Sequence, residues 1–216
     1  MADYSKLDHW SLKAQKEGYP ARSVYKLKEM DEKFGLLKPG RTLKVLDLGA
    51  APGSWSLYIL RKLFNRTGTL RTGGLSLVAV DLSPLSRTYD QGFFDKPEFR
   101  FIKGDFTLPE IREAILSQSP YDLLVSDAAP ATTGNRSVDT LRSLELAETA
   151  LDYSRTALGK GGNLVIKVFQ GEDTGTLLKT IRSLFESAKG FKPQVCRSES
   201  FETYYLGLRK ISTNLK

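Results

Sequence analysis

Apolar and polar positions alternate between two periods over most of the chain. Short apolar runs at 42–49 (TLKVLDLG), 75–83 (LSLVAVDLS), 99–106 (FRFIKGDF) and 121–130 (YDLLVSDAAP) read as strands. Between them, 54–64 and 108–118 repeat apolar residues at helical spacing. Ser54 is a cap for the first, and Pro109 lies in the first turn of the second. A long amphipathic helix is predicted over 137–162, stopped by glycines, and a fifth strand follows at 163–170 (NLVIKVFQ). Next come a helix over 175–189 and two closing strands, KPQVC (192–196) and TYYLGLRK (203–210). This order predicts an α/β fold on a largely parallel sheet with helices on both faces. The last two strands are too close in sequence for a crossover and need an antiparallel pairing. Two helices, around 5–17 and 22–33, precede the first strand and form an appendage to the sheet. The Gly-, Thr- and Arg-rich loop 65–74 reads as an exposed connection.

Composition narrows the class. A length of 216 residues is a natural single domain with a sizeable core, and 40% hydrophobic with 26% charged residues is ordinary for a soluble globular protein. No apolar run approaches the roughly 20 residues of a membrane span. The opening MADYSKLDHW has no apolar signal region, so a cytosolic protein is expected. Cys196 is the sole cysteine and His9 the sole histidine, which excludes an internal disulfide and argues against a His/Cys metal site. The net charge of +7 is unevenly spread. Residues 43–187 carry 17 basic and 17 acidic side chains. The first 42 residues carry 9 basic against 6 acidic, and the last 29 carry 6 against 2. Basic ends around a neutral middle suggest a polyanion surface, most often nucleic acid.

The ends of the strands carry the candidate chemistry. In open α/β sheets, ligands bind beyond the carboxyl ends of the strands where strand order reverses. The first strand ends in Asp47-Leu48-Gly49-Ala50-Ala51-Pro52-Gly53-Ser54-Trp55. Gly49 and Gly53 let the backbone approach a ligand, and Ala50 and Ala51 keep the turn small. The second strand ends in Asp81, placed to accept both hydroxyls of a ribose. The third ends in Gly104-Asp105-Phe106, an acceptor for an adenine amino group beside a ring to cover it. Ala51 and Pro52 break the dinucleotide fingerprint, and Pro52 removes an N–H that a pyrophosphate would need. A ligand with adenosine and no phosphates fits better, and S-adenosylmethionine is the candidate.

Lys167 lies inside the apolar fifth strand, where an ammonium is costly unless it is paired or loses its proton. The fourth strand ends in Ser126-Asp127-Ala128-Ala129-Pro130. As its neighbour, it would bring Asp127 to Lys167, as a structural ion pair or as part of a site.

Seven blocks in order resemble the FtsJ-type ribose 2′-O-methyltransferases. They are ARSVYKLKEMDEKFGLLKPG, VLDLGAAPGSWS, VAVDLSP, GDF, LLVSDAAP, LVIKVFQG and RSESFETYYLGLRK, and the resemblance runs from about residue 4 to residue 210. It implies a Rossmann-like, S-adenosylmethionine-dependent methyltransferase fold: a mostly parallel seven-stranded sheet with one antiparallel strand. It implies a catalytic tetrad of Lys26, Asp127, Lys167 and Glu202. Glu199 is the other carboxylate of the last block, and the tyrosine two residues beyond Glu202 favours Glu202. Cofactor-binding positions carry over to Gly53, Trp55, Asp81, Asp105 and Asp127, with no metal. A ribose hydroxyl is a poor nucleophile until it loses its proton, and a lysine can take that proton if burial and a second ammonium lower its pKa. Lys167 is the expected base.

The resemblance implies an RNA partner. Lys13, Lys16, Arg22, Lys28, Lys38, Arg197 and Arg209 are candidate phosphate contacts. Tyr19, Tyr25 and Trp10 are candidates for stacking on a base, with core packing the expected role of two of them. The expected substrate is a uridine of large-subunit ribosomal RNA, acted on by a monomer. A tRNA anticodon-loop enzyme shares the motifs, and a non-catalytic ribosome-assembly factor is the alternative from another class. Proline at 52 disfavours a nicotinamide dehydrogenase.

Overall fold

The computed structural model describes residues 8–38, 42–65, 68–71, 73–171, 174–196 and 200–211. Two helices, α1 (His9–Lys16) and α2 (Val24–Phe34), lead into β1 (Thr42–Leu48), α3 (Ser54–Leu63), β2 (Gly74–Asp81) and β3 (Phe99–Lys103). Then follow α4 (Pro109–Leu116), β4 (Tyr121–Ser126), α5 (Arg136–Ala157), β5 (Leu158–Phe169), α6 (Thr174–Leu184), β6 (Phe185–Phe191) and β7 (Glu202–Lys210). The seven strands form one sheet in the order β3-β2-β1-β4-β5-β7-β6, and β7 runs antiparallel to both its neighbours. Strand alternation splits the core. Leu43 and Val45 of β1 pack with α1, α2 and α3, whereas Leu46 and Leu48 pack on the opposite side with α4, α5 and α6. Among the described residues, no helix is long and apolar enough to cross a membrane.

Three boundaries differ from the sequence reading. The long helix stops at Ala157, and Leu158–Gly162 already belong to β5. Lys210 reaches across from β7 to donate to the carbonyls of Arg155 (2.6 Å) and Leu158 (2.8 Å), satisfying the helix end with a cation. The segment KPQVC is not a strand: the sixth strand is Phe185–Phe191, drawn from residues whose spacing suits a helix. Tertiary packing overrides that spacing. A Cβ on Gly207 of β7 would stand 2.6 Å from the Phe185 ring, so the missing side chain makes the slot that seats Phe185. Glu186 and Lys189 stay exposed on this edge strand, which guards it against pairing with another chain. Finally, Gly53 caps α3, while Ser54 is its first residue and donates to the Ala21 carbonyl at 3.2 Å.

The appendage is latched to α3. Asp31 of α2, buried at 1% exposure, accepts from the Tyr58 hydroxyl (2.8 Å) and the Leu37 N–H (2.8 Å) and pairs with Lys62. Trp55 adds an indole N–H donated to the Ser23 carbonyl at 2.8 Å. Together these bonds fix α2, the helix that carries Lys26, over the first strand-to-helix turn.

Candidate active site

Strand order reverses between β1 and β4, and the loops after those two strands meet there. Gly49 has φ +73, and a Cβ on it would lie 2.6 Å from the Ala128 Cα, so only glycine allows this contact. Beside it opens a cavity of about 640 Å³. Asp81, Asp105 and Asp127 line it, with Gly49, Leu82 and Phe106. Asp81 accepts from the N–H groups of Ala51 (2.9 Å) and Ser83 (2.8 Å), which aim its carboxylate. Asp105 accepts from the Thr107 N–H and hydroxyl through Oδ1, leaving Oδ2 available. Both aspartates are therefore turn caps and cavity acceptors at once. Leu82 is 67% exposed, an apolar wall that a flat ring would cover.

Gly53 and Trp55 stand behind this cavity rather than in its lining. Gly53 adopts φ +105 where a Cβ would meet the Phe94 ring at 2.9 Å. Trp55 is 2% exposed, and its ring lies 5.9 Å from that of Tyr204. Both residues shape the turn that borders the cavity.

The four tetrad positions come from α2, the loop after β4, β5 and β7, and their side chains gather on the α2/α3 side of the sheet. Lys167 Nζ lies 3.0 Å from Asp127 Oδ1 and donates to the Asp127 carbonyl at 2.5 Å. Lys26 Nζ lies 2.7 Å from Glu202 Oε1. The β5–β7 register places Lys167 opposite Tyr204 and Phe169 opposite Glu202, so Glu202 and Tyr204 share one face. Glu199 lies outside the described residues.

Tyr204, which the sequence reading used only as a marker, joins the group directly. Its hydroxyl donates to Asp127 Oδ1 at 2.7 Å, and the Lys26 ammonium sits 5.8 Å from its ring centre. The signal for it was period two along β7: a polar tip two residues from Glu202. Arg142 and Glu145 of α5, also unremarked in the sequence, form part of the cavity rim.

Electrostatics sorts these groups. Burial works against the Lys26 ammonium, but the carboxylates of Asp127 and Glu202 outweigh it and raise its pKa above the ordinary lysine value. Burial would raise the Asp127 carboxyl, yet Lys167, Lys26 and the Tyr204 hydroxyl hold it below the usual range. Glu202 is likewise depressed, with burial opposed by Lys26 and the Cys196 thiol. Burial and the Asp127 charge push Tyr204 far up, so it stays a neutral donor.

The predicted phosphate contacts are scattered. Lys13 and Lys16 are on α1, Arg22 pairs with Asp8 at 2.5 Å, and Arg209 pairs with Glu186 at the far edge. Lys28 lies on α2, Lys38 follows that helix and is exposed, and Arg197 is outside the described residues. Tyr25 is buried; Trp10 packs on it at 5.2 Å, and Tyr19 lies under Arg61 at 4.8 Å.

A seven-stranded sheet in this order, with its cavity and polar cluster at the reversal point, defines a Rossmann-like methyltransferase fold. The sequence profile of the FtsJ-like methyltransferases matches residues 19–210, and the chain belongs to that family. It is 50% identical over 206 residues to the ribosomal RNA large subunit methyltransferase E of Treponema denticola, covering 95% of this chain and 96% of the relative. The protein of that name from Borrelia duttonii is 43% identical over 203 residues, covering 94% and 96%. Among solved structures, a ribosomal RNA methyltransferase from Plasmodium falciparum superposes with a TM-score of 0.70 at 24% identity, over 90% of this chain and 100% of that one. Human methyltransferase-like protein 13 in complex with SAH superposes with a TM-score of 0.55 at 12% identity, over 88% and 83%. These two likenesses speak to the fold.

Proposed function

We propose that this chain methylates a ribose 2′-hydroxyl of large-subunit ribosomal RNA, using S-adenosylmethionine. It works as one methyltransferase domain, with residues 1–40 as the RNA-facing appendage. The observation that carries this reading is the convergence of Lys26, Asp127, Lys167 and Glu202 beside an acceptor-lined cavity. The name shared by its relatives supplies the RNA class.

The cavity suits the cofactor in size and in the acceptors that line it. Asp81 would hold the ribose, Asp105 the adenine amino group, and Leu82 and Phe106 the ring. When bound, S-adenosylmethionine presents an electron-poor methyl on a sulfonium. Two lysines then divide the work. Lys26 is held protonated by Glu202 and Asp127, so it is a fixed positive charge for the oxygen that turns negative. Lys167, once it has given its own ammonium proton to solvent, accepts the proton of the 2′-hydroxyl as a neutral amine. As the oxygen–methyl bond forms, the electron pair of the methyl–sulfur bond stays on sulfur. Asp127, steadied by Tyr204, positions Lys167, and Glu202 positions Lys26. Proton transfer of this kind is worth ~10²–10⁴-fold, and alignment contributes at least as much.

The test pairs RNA mapping with variants. Total RNA from cells with and without the gene should differ at one 2′-O-methyl site in large-subunit RNA. Lys167→Ala and Lys167→Met should lose activity by ~10²-fold or more while binding S-adenosylhomocysteine as the parent does. Near-normal methylation by both variants would remove Lys167 from its role. A changed site in tRNA alone would move the substrate to the anticodon loop.

A further inference from the structure

The largest cavity among those described shares no residue with the tetrad or the adenosine-sized cavity. It is an open groove of about 910 Å³ where the end of α1, the end of α3 and the loops flanking β2 approach one another. Four cations line it: Lys16, Arg61, Arg71 and Lys96, against a single carboxylate, Glu17. Three of them come from the stretch 43–187, which is neutral by count, so the fold has gathered charge that the sequence disperses. Asn65, Gly68 and Arg71, from the loop that reads as a plain connection, supply one wall.

None of the four cations is paired with a carboxylate among the described residues. Arg61 donates to the carbonyls of Glu17 (3.2 Å) and Tyr89 (2.9 Å), which fix its guanidinium without neutralising it. Lys96 Nζ lies 4.5 Å above the Phe64 ring and 3.4 Å from the Gly68 carbonyl. Glu17 lies 4.0 Å from Lys13, which already answers part of its charge. Lys13 in turn sits 5.0 Å over the ring of Tyr25, the neighbour of Lys26. Lys13 and Lys16 are three residues apart on α1 and share a face. Lys13 and Lys16 thus extend the positive charge of the groove along α1 toward the helix that carries Lys26.

We propose that this groove binds the sugar-phosphate backbone of the RNA substrate away from the nucleotide that is methylated. The proposal rests on the reading above that the substrate is RNA. Small-molecule pockets enclose most of their ligand, whereas this groove is open and its cations are spread around it. That layout suits a polymer passing through, held by charge without base readout. No acid–base cluster lies in it, so its part is binding and not chemistry.

The test compares two triple variants. Lys16→Gln/Arg71→Gln/Lys96→Gln empties the groove of mobile charge and leaves Arg61, which ties α1 to α3, in place. Lys160→Gln/Lys179→Gln/Arg182→Gln removes the same charge from the far side of the sheet. The probe is deproteinised large-subunit ribosomal RNA, with affinity measured against salt. For the groove variant, the slope of log affinity against log salt should fall in magnitude by about 2, since each lost phosphate contact is worth ~0.7–0.9. KM for RNA should rise at least ~10-fold at low salt, with kcat and S-adenosylhomocysteine binding unchanged. The far-side variant should keep the parent slope. Equal losses in both variants, or a parent slope in the groove variant, would overturn the groove while leaving the methyltransferase reading intact. A loss confined to assembled subunits, with naked RNA bound normally, would also overturn it and assign the surface to a ribosomal protein. A parent enzyme inactive on deproteinised RNA and on assembled large subunits alike would overturn both readings.

Discussion

A lysine in an apolar strand is tolerated at position 167 because Asp127 offers its ammonium two oxygens, one from the carboxylate and one from the backbone. That much was legible, since a charge inside a buried run demands a partner and the neighbouring strand ends in one. Tyr204 was legible only as a side chain on the face of Glu202; its bond to Asp127 was not, because tyrosine in a strand is ordinary β-former usage until the register puts it opposite Lys167. Trp55 shows what the motif leaves out: its indole N–H is donated to the Ser23 carbonyl, a tie between α3 and the appendage that no local pattern announces. Asp47 carries a prediction of its own. It is fully buried beneath the first turn, Oδ2 accepts from the Ser56 hydroxyl at 2.7 Å, and Oδ1 has no partner among the described residues. Burial raises its pKa to about 7 from the ordinary 3.8; Ser56 opposes this, while Asp127 and Asp81 add to it. The folded state therefore binds this proton more tightly than the unfolded chain does. Its contribution to stability is greatest below the unfolded pKa and declines as pH rises through the window up to about 7. Asp47→Asn keeps the shape and removes the ionisation. Thermal melts of variant and parent should nearly coincide near pH 4 and diverge by pH 8, with the variant more stable by at most about 4 kcal/mol. A difference that does not vary with pH would show that Asp47 is not the titrating group.

The alternation of strands and helices was readable because each element keeps its period over its length, and that alternation implies a mostly parallel sheet with helices on both faces. What could not be read were the places where one element runs straight into another. The junctions α5–β5 at 157/158 and α6–β6 at 184/185 have no loop residues between them. The glycines at 159, 161 and 162 look like a helix stop followed by a linker, although they enter the sheet. At Phe185 the deciding contact is with Gly207, more than 20 residues away, which no local window contains. The latch of α2 on α3 is an element-scale device of the same kind. Asp31 serves three donors from the end of α2 and from α3, and these set where Lys26 stands. Asp31→Ala would leave the Tyr58 hydroxyl and the Leu37 N–H without their acceptor, a loss of about 2–4 kcal/mol. Because the latch sits away from the adenosine-sized cavity, the folded fraction of the variant should bind S-adenosylhomocysteine nearly as the parent does. Its kcat should fall, since Lys26 is less well placed. Denaturant unfolding with cofactor titration reads both; a stable variant with full kcat would show that the latch does not position the helix.

On the scale of the molecule, the chemistry is concentrated along one edge of the sheet. The carboxyl ends of β1, β2, β3 and β4 supply the cavity, and the reversal of strand order makes room for it. Lys167 from β5 and Glu202 from β7 reach the same edge only because β7 runs backwards, which brings the start of one strand beside the end of the other. Charge is laid out on different terms. The adenosine-sized cavity is lined by three aspartates, whereas the surplus of lysine and arginine lies at the two ends of the chain and in the α1–α3 groove. On the proposed function, a polyanion and a cationic cofactor would meet surfaces of opposite sign on one molecule, and salt should separate their binding. Contacts with RNA phosphates release counterions, so affinity falls steeply with ionic strength. A cofactor in the cavity would be held by hydrogen bonds to Asp81 and Asp105 and by apolar contact with Leu82 and Phe106, where screening is weak. Raising salt from 50 to 200 mM should weaken binding of large-subunit RNA by at least ~10-fold, while the dissociation constant of S-adenosylhomocysteine moves by less than about twofold. Fluorescence anisotropy for the RNA and calorimetry for the nucleoside measure the two independently. If RNA affinity held steady across that range, backbone charge would not be what holds the substrate, and the basic ends of the chain would need another explanation.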